Sequence, residues 1–579
     1  MGRPTFVKPR PVGTSRRGFF TKSGSAAMAL ATVPMLALAH GDEDDDGDGK
    51  VRRGGVSFEH GVASGDPLAR SVILWTRVTP VRTPSGSSNR PRRVKVRYVV
   101  ATDPRLQQVV ERGELFTGPE RDYTVKVDAD RLRPGTTYYY QFEARGIESP
   151  IGRTRTLPSG ATPRLRLAVL SCSNHAAGFF NAYRRVAERA DLDAVLHLGD
   201  YLYEYGPNEF GSTRTPEPPN EMVTLSDYRT RHAQYKRDAD SQAVHRQHPM
   251  ICIWDDHEIT NDAWTGGAQT HTEGAEGTWA DRVKVGLQAY YEWMPIRPTD
   301  RSDRSDRRQN QRAFKFGDLV DLAMLEERLS ARSKQIPATI PAPGLGNVFA
   351  QIGPFTDPSR TLLGAEQEAW LTQRLRTSDA RWKFLGQGVM FAQLKAQGAP
   401  LAAGGGLFFN SDQWDGYQPA RDRVYSVLKG DTTNPPVSNC VILTGDIHSS
   451  WAADLSQDPN NPNTTTGGYN PATGEGSRAV EFVGTSVSSP GLDDPTGGTP
   501  AVLRSVNPHF QYIDLTRRGY MLLDITRDRV VCEWWYVDTV ASISNVQTFG
   551  VAFEVQNGSN RLQPSAMTTP RANPPALAP

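Results

Sequence analysis

Four times in this sequence a short apolar run stops at a cluster of ionisable side chains. Leu165-Arg166-Leu167-Ala168-Val169-Leu170 leads into Ser171-Cys172-Ser173-Asn174, and Ala194-Val195-Leu196-His197-Leu198 into Gly199-Asp200-Tyr201-Leu202-Tyr203. Ile251-Cys252-Ile253-Trp254 leads into Asp255-Asp256-His257-Glu258, with Asn261 three positions on, and Val441-Ile442-Leu443-Thr444 into Gly445-Asp446-Ile447-His448. Short apolar runs bounded by turn residues are the signature of buried strands. Ligands of α/β sheets collect at the carboxyl ends of such strands. Singly, each signal has a bland explanation: a lone Cys is usually a small buried hydrophobe, a Gly-Asp a turn, and Asp255-Asp256 a solvated loop. Four coincidences of one kind predict an α/β domain whose strand ends meet at one metal-rich site.

Other chemistries fail on inspection. The 4 Cys show no C-x-x-C spacing, which excludes a disulfide scaffold or a Cys-built zinc domain. No G-x-S-x-G elbow and no P-loop occur, and His257-Glu258 is followed by Asn261 where a zincin needs His. The 579 residues suffice for several domains. The formal net charge of +2 misleads, because residues 1–39 carry six basic side chains and no acidic one. Without them 60 basic face 64 acidic side chains, a balance with no general pull toward nucleic acid.

Those first 39 residues read as an address. Ser15-Arg16-Arg17-Gly18-Phe19-Phe20, the mildly apolar stretch from Gly24 to Leu38 and the closing Ala37-Leu38-Ala39 resemble a twin-arginine export signal. Its partner is then the twin-arginine translocation machinery, and the destination extracytoplasmic. Export of a folded chain is used where a cofactor is loaded inside the cell. Residues 40–54 are an acidic spacer; Arg53 stands where a calcium loop needs its bidentate Glu. From 55 to 160, period-two alternation through Val94, Val96, Tyr98 and Val100, and through Val125 and Val127, predicts a small β-sandwich. Leu132-Arg133-Pro134-Gly135-Thr136-Thr137-Tyr138 looks like the tyrosine corner of an immunoglobulin- or fibronectin-like fold. Gly519 to Val537 alternates as a hairpin about Asp528, with Trp534, Trp535 and Tyr536 as packing residues. Cys252, Cys440 and Cys532 read as buried free thiols. Arg301 to Arg312 is a charged insert; Gln457 to Gly476 and the 556–579 tail are expected to be disordered.

The strand-end motifs carry a resemblance. Gly-Asp-x-x-Tyr, Asp-Asp-His-Glu and Gly-Asp-x-His in this order resemble the calcineurin-like metallophosphoesterases. Ser171-Cys172-Ser173-Asn174, the run from Gly199 to Tyr205, Trp254-Asp255-Asp256-His257-Glu258 and Thr444 to Trp451 resemble more closely the alkaline phosphatase D (PhoD-type) family. The opening Phe58 to Pro67 looks like that family's N-terminal β-domain. The resemblance covers roughly residues 56–550. It implies a four-layer α/β/β/α sandwich over residues 164–550, preceded by the small β-domain, and hydrolysis of phosphomonoesters or phosphodiesters by two-metal activation of water. It implies ferric iron held by Cys172, Asp200, Tyr203 and His448, whose anionic donors suit a trivalent ion. It also implies one or two calcium ions near Asp256, Asn261 and Asp446, which offer the oxygen donors a hard cation prefers.

Spacing does not choose between Asp255 and Asp256. His257 is the candidate acid for the leaving oxygen, against a packed histidine held by Glu258. Asn174, with His175, is the candidate phosphate contact. Two departures stand out. Relatives tend to show Asn-Gln where this chain has Gln387-Gly388, and Asp-Thr-Arg where it has Glu326-Glu327-Arg328. Phospholipase D-type cleavage falls inside the same reading. A noncatalytic envelope-binding protein stabilised by its metals is the alternative from another class.

Overall fold

The computed structural model describes residues 55–81, 93–297, 307–343 and 346–579. The leader and the acidic spacer lie outside the described residues, as does the first half of the charged insert, residues 301–306. Two sheets stack face to face. In the ten-stranded sheet, Arg164–Leu170, Ala194–Leu198 and Pro249–Ile253 are parallel neighbours. In the seven-stranded sheet, Val320–Met324, Trp382–Gln387 and Cys440–Thr444 are parallel neighbours. These strands are buried along nearly their whole length and mostly apolar, as strands covered on both sides tend to be. Between the sheets lies one core containing Leu167, Leu196, Ile251, Phe384, Val441 and Trp534.

Helices complete the outer layers. Tyr183, Tyr235, Val244, Leu287 and Tyr290, from four helices between Asn181 and Trp293, pack with Leu170 and Trp254 on the ten-stranded side. Leu371 and Leu375 of Gly364–Thr377, with Val424 and Leu428 of Gln418–Lys429, cover the other sheet. The arrangement is the four-layer α/β/β/α sandwich, with helices on the faces that parallel connections demand. No described helix is long and apolar enough to cross a membrane.

The N-terminal β-region contributes a second sandwich, and its tyrosine corner is present: the Arg133 backbone N–H donates to Tyr138 Oη at 2.7 Å. One face is a separate sheet containing Val94–Ala101, Val109–Thr117 and Thr137–Ala144. The other face continues the large sheet, because Val62–Gly65 pairs in parallel with Pro249–Ile253 and is followed by Val72–Arg77 and Thr124–Ala129. The two regions therefore share a ladder of hydrogen bonds.

Two segments expected to be disordered are ordered. Leu562–Ser565 adds an antiparallel strand to Gln547–Gln556. Beyond it, Arg571 pairs with Asp193 at 2.8 Å, Tyr139 Oη donates to Ala576 O at 2.6 Å, and Gln247 exchanges two bonds with the Ala578 backbone. In the 457–476 loop, Asn460 accepts from Lys395 Nζ at 2.8 Å and donates to Val506 O at 2.9 Å, while buried Tyr469 donates to Asp454 at 2.7 Å. A polar composition reads as disorder until partners elsewhere in the chain satisfy its backbone and amides.

Candidate active site

The carboxyl ends of strands from both sheets open at one edge, where the chain leaves them abruptly. Cys172, Asp200, Asp446 and His448 all have left-handed backbones, with φ of 58°, 54°, 60° and 56°. This region costs a Cβ-bearing residue energy and clusters at functional sites. Gly199, at φ 99°, admits the turn before Asp200, and a Cβ there would lie 2.4 Å from Asp255 Cβ. Gly388 is under the same pressure: a Cβ would stand 2.5 Å from an Asp255 carboxylate oxygen.

The predicted residues meet. Donor atoms of Cys172, Asp200 and His448 lie within 4.8 Å of one another, as do those of Asp200, Asp256 and His257, and those of Asp255, Asp256 and Asp446. Tyr203 Oη donates to Asp200 Oδ2 at 2.9 Å, lies 3.0 Å from His448 Nε2 and accepts from Ser489 Oγ at 2.8 Å. His448 Nδ1 faces the Pro490 carbonyl at 2.8 Å, so the proton sits on Nδ1 and Nε2 keeps its lone pair for the cluster.

The electrostatics show what the cluster lacks. Burial raises Asp200 well above the ordinary carboxylate range, and Asp256 and Asp255 add to the rise. Asp446 is raised by burial and by Asp255, the Cys172 thiol by burial and Asp200, and the Tyr203 phenol by burial, Asp200 and Cys172. Asp200 Oδ1 is buried with no hydrogen-bond partner. A buried set of acids that repel one another, with an orphan oxygen aimed among them, fits a multivalent cation. Thiol, carboxylate and imidazole donors gather on one side and carboxylates on the other, all of them metal-ligating types.

Arg328 distinguishes the adjacent aspartates. It makes a two-pronged pair with Asp255, and bonds Asp412 at 2.7 Å and Asp446 at 3.1 Å. Its distance to Asp256 is 3.8 Å. Asp256 accepts only backbone N–H bonds, from His257 at 3.0 Å and Asp262 at 2.6 Å. Burial works against its charge, but Arg328 and His257 outweigh it and hold the group low. Asn261 sits beside this turn, its N–H tied to Glu204 and its amide nitrogen to Gln269.

Hydrogen bonds fix the surroundings of the remaining candidates. Asn174 is 2 % exposed and its amide is committed to the backbone: Oδ1 accepts from Ala176 and Ala177 N–H, and Nδ2 donates to Phe210 O at 2.6 Å. It braces the turn after Cys172, with Oδ1 filled by two backbone N–H groups and one Nδ2 hydrogen given to Phe210 O. His257 is held by Glu204, with Nδ1 2.7 Å from Oε2, and not by Glu258. Glu258 instead receives the N–H groups of Asp200, Tyr201 and Asp255. Gln387 donates its amide nitrogen to Val389 O and Thr444 Oγ1, while its Oε1 is buried without a hydrogen-bond partner. Glu326 and Glu327 are anchors: Glu326 accepts from Trp254 Nε1 and Glu327 from the Gly388 and Val389 N–H groups, which leaves Arg328 as the member of that loop at the centre. Sequence reasoning missed Glu204, Asp412 and the second task of Asn174. Only the position of Glu204, four after Asp200, gave any signal.

Cys252, Cys440 and Cys532 are buried and free, and Cys172 differs from them in standing among ionisable groups.

Comparison with known proteins agrees with this architecture. The chain matches the PhoD-like phosphatase family over residues 167–534 and the PhoD-like phosphatase N-terminal domain over residues 45–158. It is 35% identical over 520 residues to alkaline phosphatase D of Bacillus subtilis (strain 168), covering 88% of this chain and 83% of that one. A solved structure of PhoD superposes with a TM-score of 0.77 at 34% identity, covering 88% of this chain and 92% of that one. Fold and strand-end cluster thus define a phosphoric ester hydrolase. The chain belongs to the PhoD-like phosphatase family.

Proposed function

We propose that this chain is an exported enzyme that hydrolyses phosphomonoesters, phosphodiesters or both, with ferric iron and calcium as its resident ions. The observation that carries the reading is the merging of three donor groups through Asp200 and Asp256, each of which belongs to two of them. Cys172, Asp200, Tyr203 and His448 would hold the iron; Asp256, Asn261 and Asp446 would hold calcium, with Asp255 neutralised by Arg328. When bound, such ions lend Lewis acidity toward phosphoryl oxygens and lower the pKa of a coordinated water.

The chain's own residues supply the rest. Glu204 takes His257 Nδ1 and leaves the other ring nitrogen available. Burial opposes a charge on that ring, but Glu204, Asp256 and Asp200 outweigh it and raise its pKa well above the usual value. His257 is the side chain placed to give a proton to the departing alkoxide. Arg328 fixes Asp446 and balances the excess of carboxylates.

Hydrolysis of chromogenic phosphate mono- and diesters by purified, metal-loaded protein tests the proposal, with elemental analysis of the same sample. Calcium chelation should abolish turnover, and re-addition should restore it without refolding. Absence of turnover on every ester would favour a noncatalytic envelope protein. Full activity after exhaustive calcium removal would reject the oxygen-donor assignment. Export through the twin-arginine route rests on Arg16-Arg17; replacing both by Lys should retain the protein inside the cell.

A further inference from the structure

An aromatic wall runs along one side of the cluster. The Phe210 ring lies 6.1 Å from His448 at an interplanar angle of 28°, 5.9 Å from Tyr203 and 5.5 Å from Tyr205. Tyr205 in turn lies 5.4 Å from His257. Tyr203 is buried, whereas Phe210 and Tyr205 are half-exposed, like His448. A large apolar ring left partly in contact with water forgoes some burial energy.

The loop holds that ring in place. Asn174 Nδ2 grips the Phe210 carbonyl, and Glu209 Oε2 accepts from the Gly206 N–H at 2.8 Å. Gly211, at φ 124°, is seated so tightly on the turn after Cys172 that a Cβ would stand 2.6 Å from Ala177 N. Phe210 is thus fixed to the same turn that carries Cys172.

The position of His257 says what meets this wall. The group that protonates the leaving oxygen must stand on the alcohol side of the ester, so the departing alcohol lies beside Tyr205 and Phe210. We propose that Phe210 and Tyr205 form the platform for the alcohol side of the substrate, and that the enzyme selects esters carrying a flat apolar ring there over esters of small polar alcohols. An aryl group and a nucleobase share the required chemistry, an exposed π-face that stacks on aromatic side chains. This rests on the phosphoesterase reading and on His257 as the acid.

Phosphonates test it without bond cleavage. Metal-loaded enzyme is titrated calorimetrically with methylphosphonate, phenylphosphonate and cyclohexylphosphonate, in the parent and in Phe210→Ala and Phe210→Trp, with metal content measured in each. The parent should prefer phenyl over both others. Phe210→Ala should reduce the phenyl-to-methyl affinity ratio by about 3- to 10-fold, and Phe210→Trp should restore it. Equal weakening of all three ligands in Phe210→Ala would overturn the proposal, leaving Phe210 as packing for His448. Cyclohexyl binding as tight as phenyl would overturn the flat-face requirement. Methylphosphonate binding without any phenyl preference would sink this inference alone. No phosphonate binding together with no ester turnover would take down the phosphoesterase reading as well.

Discussion

Glu204 Oε2 lies 2.7 Å from His257 Nδ1, while Oε1 of the same carboxylate accepts the Asn261 N–H at 2.7 Å and the Thr260 hydroxyl at 3.0 Å. One fully buried side chain therefore orients the proposed acid and the turn that carries a proposed calcium donor. Glu204→Gln keeps the volume but must turn an amide N–H toward one of these donors, and it removes the charge that stabilises the imidazolium. Turnover of alkyl phosphates should fall about 10- to 100-fold, less than the roughly 10²–10⁴-fold that general acid catalysis as a whole supplies, because the imidazole itself remains. Nitrophenyl phosphate, whose phenolate leaves without a proton, should lose far less. His257→Asn should show the same selectivity. Equal losses on both substrates, with metals retained, would remove the acid role.

Tyr203 offers a spectroscopic check. Its hydroxyl stands 2.9 Å from Asp200 and 3.0 Å from His448, close enough to share a cation with them. A phenolate on ferric iron absorbs visible light by charge transfer. The iron-loaded protein should be coloured, and Tyr203→Phe should bleach or strongly shift the band. An unchanged spectrum in an iron-replete variant would take Tyr203 out of the iron's coordination.

Much of this site is legible in the sequence because strand ends are local signals. The apolar runs before Cys172, Asp200, Asp255 and Asp446 become the strands Arg164–Leu170, Ala194–Leu198, Pro249–Ile253 and Cys440–Thr444. The pairing of Val62–Gly65 with Pro249–Ile253 is not legible, since periodicity reports burial and not partners. Nor is the task of Glu204, which depends on a hydrogen bond across 53 positions of chain. Asn174 shows the converse: an Asn beside a candidate ligand invites a substrate role, yet its short amide bonds the neighbouring backbone, as Asn side chains in turns commonly do. The ordered tail is hidden for a third reason. Its Pro, Ala and Thr residues carry no burial pattern, and its order comes from Arg571 on Asp193 and from Gln247 on Ala578.

Cys172 and Cys440 make a matched pair for the iron assignment. Both are buried thiols at the margins of central strands, but only Cys172 lies with Asp200 and His448. Cys172→Ala should lose iron while the fold persists. Cys440→Ala should keep iron and lose only packing, about 1 kcal/mol. Metal analysis and thermal melting of the same preparations separate the two. Iron retained in Cys172→Ala would make that thiol an ordinary core residue.

Lys236 carries a prediction independent of the metals. It is buried at 1 % exposure, with Nζ 2.7 Å from Tyr201 Oη and 2.8 Å from His245 Nε2, and it sits over the Tyr201 ring at 4.4 Å. No carboxylate bonds to it, so burial lowers its pKa from 10.5 to about 7. Between those values the unfolded chain binds a proton that the folded chain has released, so stability must rise with pH across the window. Below about pH 7 both states are protonated and the folded state bears the full cost of the buried charge. Each such group contributes a slope of about 1.4 kcal/mol per pH unit. Lys126, half-buried with its Nζ on the Tyr291 and Ile296 carbonyls and lowered by desolvation to about 7, acts in the same direction. Lys236→Met should therefore remove roughly one proton's worth of slope between pH 7 and 9 and leave the part due to Lys126. Denaturant unfolding at several pH values, parent against variant, measures the difference directly. Parallel stability curves for the two proteins would mean that Lys236 stays protonated inside the fold and that Tyr201 and His245 compensate its charge.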